Sequence, residues 1–355
     1  MVVTKTIDLI QLKKEIKTEA KSLGFSHIGF TTSEEPIHFD VFKSWIENGF
    51  AADMHYLLRE DTIAKRKNPN LILESTKSII VLAIPYCPSI YQKDEFPKIA
   101  SYAIGDDYHL VIPPLLEKIV DFIKRKIGSL KLDYKTYTDT GPILEKDLAQ
   151  RAGLGWIGKN TCLIIPGEGS FFLLAEIFIN LEFESDPSFS QDFCGQCSKC
   201  IESCPTSCIL PNRTIDSNKC ISYLTIENKK DIPEEFRSKI DGWIFGCDIC
   251  QQVCPWNIRF AKKPEKNYFN RSIEISTLNI HEELNIDKPF FKKKYKNSPI
   301  SRAKYEGFIR NLLICIGNHS KNDYESTITE FISTNTNPEL SVLANWVLEK
   351  KYRST

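Results

Sequence analysis

Eight cysteines of this 355-residue chain are spaced to bind iron. The first run is Cys194-x2-Cys197-x2-Cys200-x3-Cys204-Pro205; the second is Cys220, then Cys247-x2-Cys250-x3-Cys254-Pro255. Thiolates bind iron through sulfur, and two intervening residues let one tight loop aim successive sulfurs at one cube. In two-cluster ferredoxins the cysteine before the proline reaches across to the other cube. The spacing therefore predicts one [4Fe–4S] cluster on Cys194, Cys197, Cys200 and Cys254, and a second on Cys204, Cys220, Cys247 and Cys250. Structural zinc favours two separated ligand pairs, and disulfide frameworks belong to small secreted domains. Neither matches three cysteines at x2 spacing followed by Cys-Pro, so the chain is expected to move single electrons. Of the remaining four, Cys87, Cys162 and Cys315 stand among apolar residues and read as small buried side chains. Cys208 is a candidate ninth ligand, but both cubes are already full.

Those cysteines need a frame. Residues 7–23 repeat apolar side chains near a helical period, and 25–30 reads as a short strand. Ser78–Tyr86 (SIIVLAIPY) is β-branched, uncharged and closed by Pro88, which predicts a buried strand. Further strands are expected at 134–138, 161–165 and 170–180, the last two turned by Pro166-Gly167-Glu168-Gly169. Helical stretches lie near 107–130 and 143–152. The fold class is α+β multidomain. An α/β domain is expected over 1–182, a ferredoxin-like two-cluster domain over 183–262, and a basic linker with helical, HEAT-like repeats over 263–355. The cysteine region is expected to be held by its clusters more than by apolar burial.

Lys plus Arg equals Asp plus Glu, 46 each, so global charge neither supports nor excludes a nucleic-acid partner. Locally, Lys288, Lys292, Lys293, Lys294, Lys296, Arg302, Lys304 and Arg310 face one acid, Glu306. Phe290, Phe291, Tyr295, Tyr305 and Phe308 are interleaved with them, a composition shared by solvated helices and RNA-binding surfaces. No run approaches the roughly 18 apolar residues of a membrane helix. The N-terminus shows no apolar signal core. A cytoplasmic protein, with no membrane partner, is expected. No long apolar seam is evident, and a monomer is expected.

Arg151-Ala-Gly-Leu-Gly-Trp-Ile-Gly-Lys-Asn160 contains a literal GxGxxG at Gly153, Gly155 and Gly158. A dinucleotide fingerprint follows a strand and opens a helix. Here a helical run precedes and a strand follows, so the glycines read as a helix-to-strand turn. Together with Asp139-Thr-Gly-Pro, the GSFFLLAE strand, both cysteine runs and SPISRAKYEGFIRN, this segment resembles the epoxyqueuosine reductase family. The resemblance runs from about residue 10 to about residue 320.

The resemblance implies a cobalamin enzyme that reduces epoxyqueuosine to queuosine at the wobble position of tRNA with a GUN anticodon. This is the final step of queuosine biosynthesis. The two clusters would feed electrons to cobalt from an external flavodoxin- or ferredoxin-like donor. Asp139 matches the family's acid, and its pKa is expected to be raised by burial against the cofactor. Arg66, Tyr108, His109, Asp139, Leu163 and Ser222 match positions near the cobalamin, where Ser101 replaces the family's usual arginine. Asp-x-His occurs at Asp53-Met-His55 and Asp107-Tyr-His109 without the glycine of a cobalt-ligating motif, so no protein histidine is expected on the metal. The alternative is a cobalamin and iron–sulfur reductase of a small molecule, like a reductive dehalogenase. Such proteins commonly carry an export signal and lack a basic helical tail.

Overall fold

A computed structural model of the chain describes residues 7–88, 96–264, 268–269, 278–319 and 323–353. Its strands are β1 (His27–Thr31), β2 (Ser78–Pro85), β3 (Lys98–Ile99), β4 (Tyr134–Tyr137), β5 (Trp156–Ile157), β6 (Leu163–Ile164), β7 (Phe172–Ile179) and β8 (Trp243–Phe245). The first helices are α1 (Leu9–Ser22), α2 (Phe39–Glu47), α3 (Glu60–Lys67), α4 (Tyr108–Ile127) and α5 (Glu145–Arg151). One sheet runs in the order β1-β2-β7-β4, and each neighbouring pair is antiparallel.

That pairing corrects the expected α/β domain to an α+β one. A strand such as β2, buried along nearly its whole length, resembles those of a parallel sheet. Here it is buried because helices cover both faces. On one face Ile80, Leu82 and Ile84 pack with Ile16 of α1 and Ile112, Leu116 and Ile119 of α4. On the other, Ile79, Val81 and Ala83 pack with Leu148 and Ala149 of α5. The anticipated hairpin between 161–165 and 170–180 closes with a single antiparallel bridge, Ile165 to Gly169, and pairs no further. β6 turns back onto β5, while β7 runs between β2 and β4. Gly153 and Gly155 form the turn between α5 and β5, and Gly158 follows β5. Gly153 takes φ +80°, and a Cβ on Gly155 would sit 2.1 Å from the Ile164 carbonyl oxygen. Glycine is required there by close backbone approach.

Short helices lie within and after the cysteine runs: α6 (Lys199–Glu202) and α7 (Ile221–Ile226), then α8 (Glu234–Arg237), α9 (Ile249–Gln252) and α10 (Pro255–Phe260). The chain ends in α11 (Ile280–Asn285), α12 (Lys288–Lys294), α13 (Lys304–Asn318), α14 (Glu325–Thr334) and α15 (Pro338–Leu348). The largest apolar core joins Leu224, Trp243 and Phe245 of the cysteine region to Phe308, Leu312 and Leu343 of these helices. Burying each such large side chain contributes about 1.5–3 kcal/mol. Residues 221–245 are therefore held by apolar burial as well, unlike the expectation for the cysteine region. Buried Asn311 pins the same junction, donating to the carbonyls of Thr225 and Ile244 at 2.8 and 3.0 Å. Among the described residues no helix is long and apolar enough to cross a membrane.

Candidate active site

The candidate site forms where α4 begins and β4 ends. Asp107 caps α4, its Oδ1 accepting from the His109 N–H at 3.0 Å. This cap sets Tyr108 and His109 on the first turn. After β4, Thr138 anchors the chain by donating to the Leu174 carbonyl at 2.8 Å. Asp139 then takes φ +59°, a left-handed conformation that aspartate tolerates better than most residues but that still costs energy. In that position its Oδ2 accepts from the Tyr108 hydroxyl at 2.7 Å. His109 Nε2 lies 3.4 Å from the same oxygen, and its Nδ1 lies 2.8 Å from Asp107 Oδ1.

The electrostatics differ from the sequence expectation. Although burial opposes it, bonds from His109 and Tyr108 hold the Asp139 carboxyl below its usual range. The side chain is half exposed toward open cavities, so water also solvates the anion. Burial alone would lower His109, but the carboxylates of Asp107 and Asp139 push it up to about 9. The stored proton therefore sits on His109, while Asp139 is the anion beside it. Glu145, in the first turn of α5, was not singled out from the sequence. Burial, reinforced by the Asp139 charge, pushes its carboxyl up to about 7. Its place three residues after the Asp139-Thr-Gly-Pro segment was the available signal.

Asp139 and Glu145 face two cavities. The larger, about 390 Å³, has an apolar wall including Phe42, Trp45, Leu57 and Ile143, with Arg66 and Ser217 also lining it. The smaller, about 150 Å³, is lined by Tyr108, Cys162, Leu163 and Gln251 as well. Arg66 is buried, and its guanidinium lies 5.3 Å from the Phe42 ring centre. Of the anticipated cofactor contacts, Arg66, Tyr108, Asp139 and Leu163 line these cavities, and His109 backs Asp139. Ser222 follows Cys220 on α7 and lines neither cavity. Cys162, read from sequence as a buried small side chain, is partly buried and faces the smaller cavity. Cys87 is also only partly buried, whereas Cys315 is fully so.

Cys194, Cys197, Cys200 and Cys254 line one further cavity of about 170 Å³ with Phe193 and Trp256. Trp156 Nε1 donates to Cys194 Sγ at 3.4 Å. Among the described residues no three His, Cys, Asp or Glu side chains converge tightly enough for a single ion. Cys220 and Cys247 pack against the largest core. Cys208 is buried, its Sγ 3.5 Å from that of Cys204. Three bonds tie the second cysteine run to the elements around the cleft. Asp248 accepts from the Ser101 N–H and hydroxyl at 2.7 and 2.6 Å. Gln251 Oε1 accepts from the Ser170 hydroxyl at 2.9 Å and lines the smaller cavity.

The basic, aromatic segment is less free than its composition implies. Phe291, Tyr295 and Phe308 are core residues, leaving Phe290 exposed and Tyr305 half-buried. Arg310 is buried and donates to the Leu224 and Asn228 carbonyls at 2.7 and 2.9 Å. Lys294 pairs with buried Glu283, and Arg302 with Glu227. Lys292, Lys293, Lys296 and Lys304 remain exposed. The segment abuts the reactive turn, because the Asp107 N–H donates to the Asn297 carbonyl at 2.7 Å.

Comparison with known proteins agrees with this architecture. A family model described as "Epoxyqueuosine reductase QueG, DUF1730" matches residues 66–140, and one described as "4Fe-4S double cluster binding domain" matches 193–257. An epoxyqueuosine reductase from Cellulophaga algicola is 39% identical over 302 residues, covering 84% of this chain and 95% of that protein. The structure of epoxyqueuosine reductase from Streptococcus thermophilus is 31% identical with a TM-score of 0.84, covering 97% of this chain and 91% of that one. A crystal structure of epoxyqueuosine reductase with an epoxyqueuosine-modified tRNA-Tyr stem loop is 27% identical with a TM-score of 0.81, covering 97% and 99%. The chain belongs to the epoxyqueuosine reductase family.

Proposed function

We propose that this protein reduces the epoxide of epoxyqueuosine in tRNA to the alkene of queuosine, using cobalamin supplied with electrons by two [4Fe–4S] clusters. The observation that carries the reading is the Asp139–Tyr108–His109 constellation, set against a cleft whose wall also includes Gln251 of the second cysteine run. Family membership supplies the substrate. The clusters are assigned to Cys194, Cys197, Cys200 and Cys254, and to Cys204, Cys220, Cys247 and Cys250; the shared cavity of the first four supports the crossing of Cys254.

The residues fit cobalamin. The larger cavity offers an apolar wall to a broad macrocycle, with polar groups confined to part of its lining. Arg66, Leu163 and Tyr108 would hold it from the cleft. His109 Nδ1 lies 2.8 Å from Asp107 and Nε2 3.4 Å from Asp139, so in this reading the ring serves the carboxylates and not cobalt. When bound, cobalamin supplies low-potential cobalt chemistry that pairs single electrons for a two-electron reduction.

Converting an epoxide to an alkene consumes two electrons and two protons and releases water. The oxygen must be protonated as its carbon bonds break. Asp139 stands at the cleft to deliver that proton, and His109, charged below about pH 9, resupplies it. Displacement of water by substrate and cofactor would remove solvation from the Asp139 anion and favour its protonated form. Glu145, near 7, holds a further proton beside the same turn. Exposed Lys292, Lys293 and Lys296 would neutralise phosphates of the anticodon stem loop beside the reactive turn. In this reading residues 1–182 carry the cleft, 183–262 the clusters and 263–355 the RNA surface, and the protein acts as a cytoplasmic monomer. Deleting the gene tests the function. Mass spectrometry of tRNA nucleosides should show queuosine replaced by the epoxide, restored by the parent gene and not by Asp139→Asn. Unchanged queuosine would refute the reading.

A further inference from the structure

β7, inside the four-stranded sheet, carries an acid that the packing of the sheet does not require. Glu176 is fully buried, and neither carboxyl oxygen has a hydrogen-bond partner among the described residues. Val81 of β2 and Tyr137 of β4 stand opposite it. Along β7 the same face continues in Leu174 and Phe178, which pack with Ile79, Val81 and Ala83 and with Leu148 and Ala149 of α5. A buried polar group without a partner is a cost that leucine at this position would not carry. An ionised one would cost far more. Burial, reinforced by the charges of Glu145 and Asp139, pushes the Glu176 carboxyl well above its usual range, so it is held neutral.

Those two acids lead from Glu176 to the cleft. Helical spacing sets Glu145 on the side of α5 that carries Leu148 and Ala149, which pack on the sheet face of Glu176. Glu145 also lines both cavities. Asp139 follows two residues after Tyr137, the residue opposite Glu176 on β4. Other charged groups nearby are engaged elsewhere. On α5, Asp147 lies 2.6 Å from His38 Nδ1, Arg151 donates to the Glu34 and Thr32 carbonyls at 2.9 and 3.2 Å, and Lys146 lines the cavities. On β4, Lys135 is exposed, and burial is what raises the Tyr137 phenol. β2 offers this face only apolar side chains.

We propose that Glu176 is a positioning residue for proton delivery: when Glu145 gives up its proton, the Glu176 O–H turns to it and holds the carboxylate that remains. The proposal rests on the epoxide reduction proposed above and names the group that lets Glu145 supply the second proton. The oxygen leaves as water, taking two protons as two electrons enter from the cofactor. His109 supplies the first proton through Asp139. Glu145 supplies the second: its O–H bond breaks, the proton passes to the vacated Asp139 carboxylate and on to the oxygen, and water in the cleft later restores it. Glu176 keeps its own proton throughout. A bond from a neutral acid to a carboxylate is stronger than one between neutral groups, and the dry interface under α5 strengthens it further.

The test uses the whole protein, reconstituted with both clusters and cobalamin, reduced in advance and mixed with epoxyqueuosine-containing tRNA for a single turnover. Nucleoside mass spectrometry gives the rate at pH values below and above about 7, where the Glu145 carboxyl titrates. Glu176→Leu removes the donor. The alkaline limb of the profile should move up by about one unit, since a bond to a charged group is worth about that much, and the plateau rate should fall about tenfold. The denaturant midpoint should not fall, because the unpartnered carboxyl is gone. Glu176→Gln keeps an N–H donor and should retain the parent limb and a rate within about threefold. Adding Glu176→Leu to Glu145→Gln should slow the reaction no further, because Glu176 acts through Glu145. Infrared spectra of the resting parent above pH 7 should show a protonated carboxyl band that both Glu176 variants lose. A parent limb and rate in Glu176→Leu would overturn the proposal. So would equal losses in the Leu and Gln variants, further slowing on top of Glu145→Gln, or a missing carboxyl band. A parent protein that leaves the epoxide intact is a separate result, which removes the epoxide reading and this role with it.

Discussion

Replacing Asp139 by Asn tests the proton inventory of the site. Asparagine accepts the left-handed conformation that position 139 requires, so the turn should survive while one charge disappears. At the 3.4 Å separation from His109, two unit charges interact by about 1 kcal/mol in water and about 5 kcal/mol at an effective dielectric of 20. Asp139 is half exposed, which places the pair near the lower figure. His109 should therefore fall from about 9 by roughly one unit. It should remain above the free-histidine value, because Asp107 still faces Nδ1 at 2.8 Å. Proton–carbon correlation spectra of the histidine rings report this directly, with His109→Gln assigning the resonance. The sign for stability follows. A raised histidine pKa stabilises the fold fully below about 6.5, and that contribution is lost as pH rises toward 9. The Asn variant should lose part of this pH dependence. Epoxide reduction should fall by about 10²–10⁴ while cobalamin still binds. An unmoved His109 titration would refute the ion pair, and turnover within about threefold of the parent would reduce Asp139 to a turn residue.

Cys254→Ala should disturb the cluster built mainly by Cys194, Cys197 and Cys200, whereas Cys208→Ala should keep its iron; iron and sulfide analysis with cluster spectroscopy separates them. Cys208→Ala should also lower the potential of the second cluster in a redox titration, since it removes a thiol donor 3.5 Å from Cys204. Lys292→Glu/Lys293→Glu/Lys296→Glu should weaken tRNA binding and flatten its salt slope by about 0.7–0.9 per lost contact; equal slopes in filter binding would remove this segment from the RNA site. Lys294 is omitted because its loss would strand buried Glu283. Gly155→Ala should cost about 1–3 kcal/mol in denaturant unfolding, because its Cβ has no room beside Ile164.

Local spacing made the cysteine runs legible, since their geometry is written within a few residues. The glycine turn was legible for the same reason, as its neighbours fix both the preceding helix and the following strand. Sheet pairing was not. β2 declares itself by its apolar run, but its antiparallel partner β7 lies about ninety residues away, and burial on both faces mimics a parallel strand. The charge state of Asp139 was also hidden, because it is set by Tyr108 and His109 on another element. Burial argued for a raised carboxyl, and pairing reverses the direction. In the basic segment, composition suggested stacking platforms. Helical placement instead turns Phe291, Tyr295 and Phe308 inward, which only the packing partners reveal.

The central claim is that this chain removes the epoxide oxygen from a nucleoside within tRNA. The direct measurement is turnover by purified protein, reconstituted with iron, sulfide and cobalamin and supplied with a low-potential reductant and epoxyqueuosine-containing tRNA. Nucleoside mass spectrometry should show a product lighter by one oxygen atom, formed only with cobalamin present and lost in Asp139→Asn. An unchanged epoxide in protein that carries both clusters and cobalamin would contradict the account.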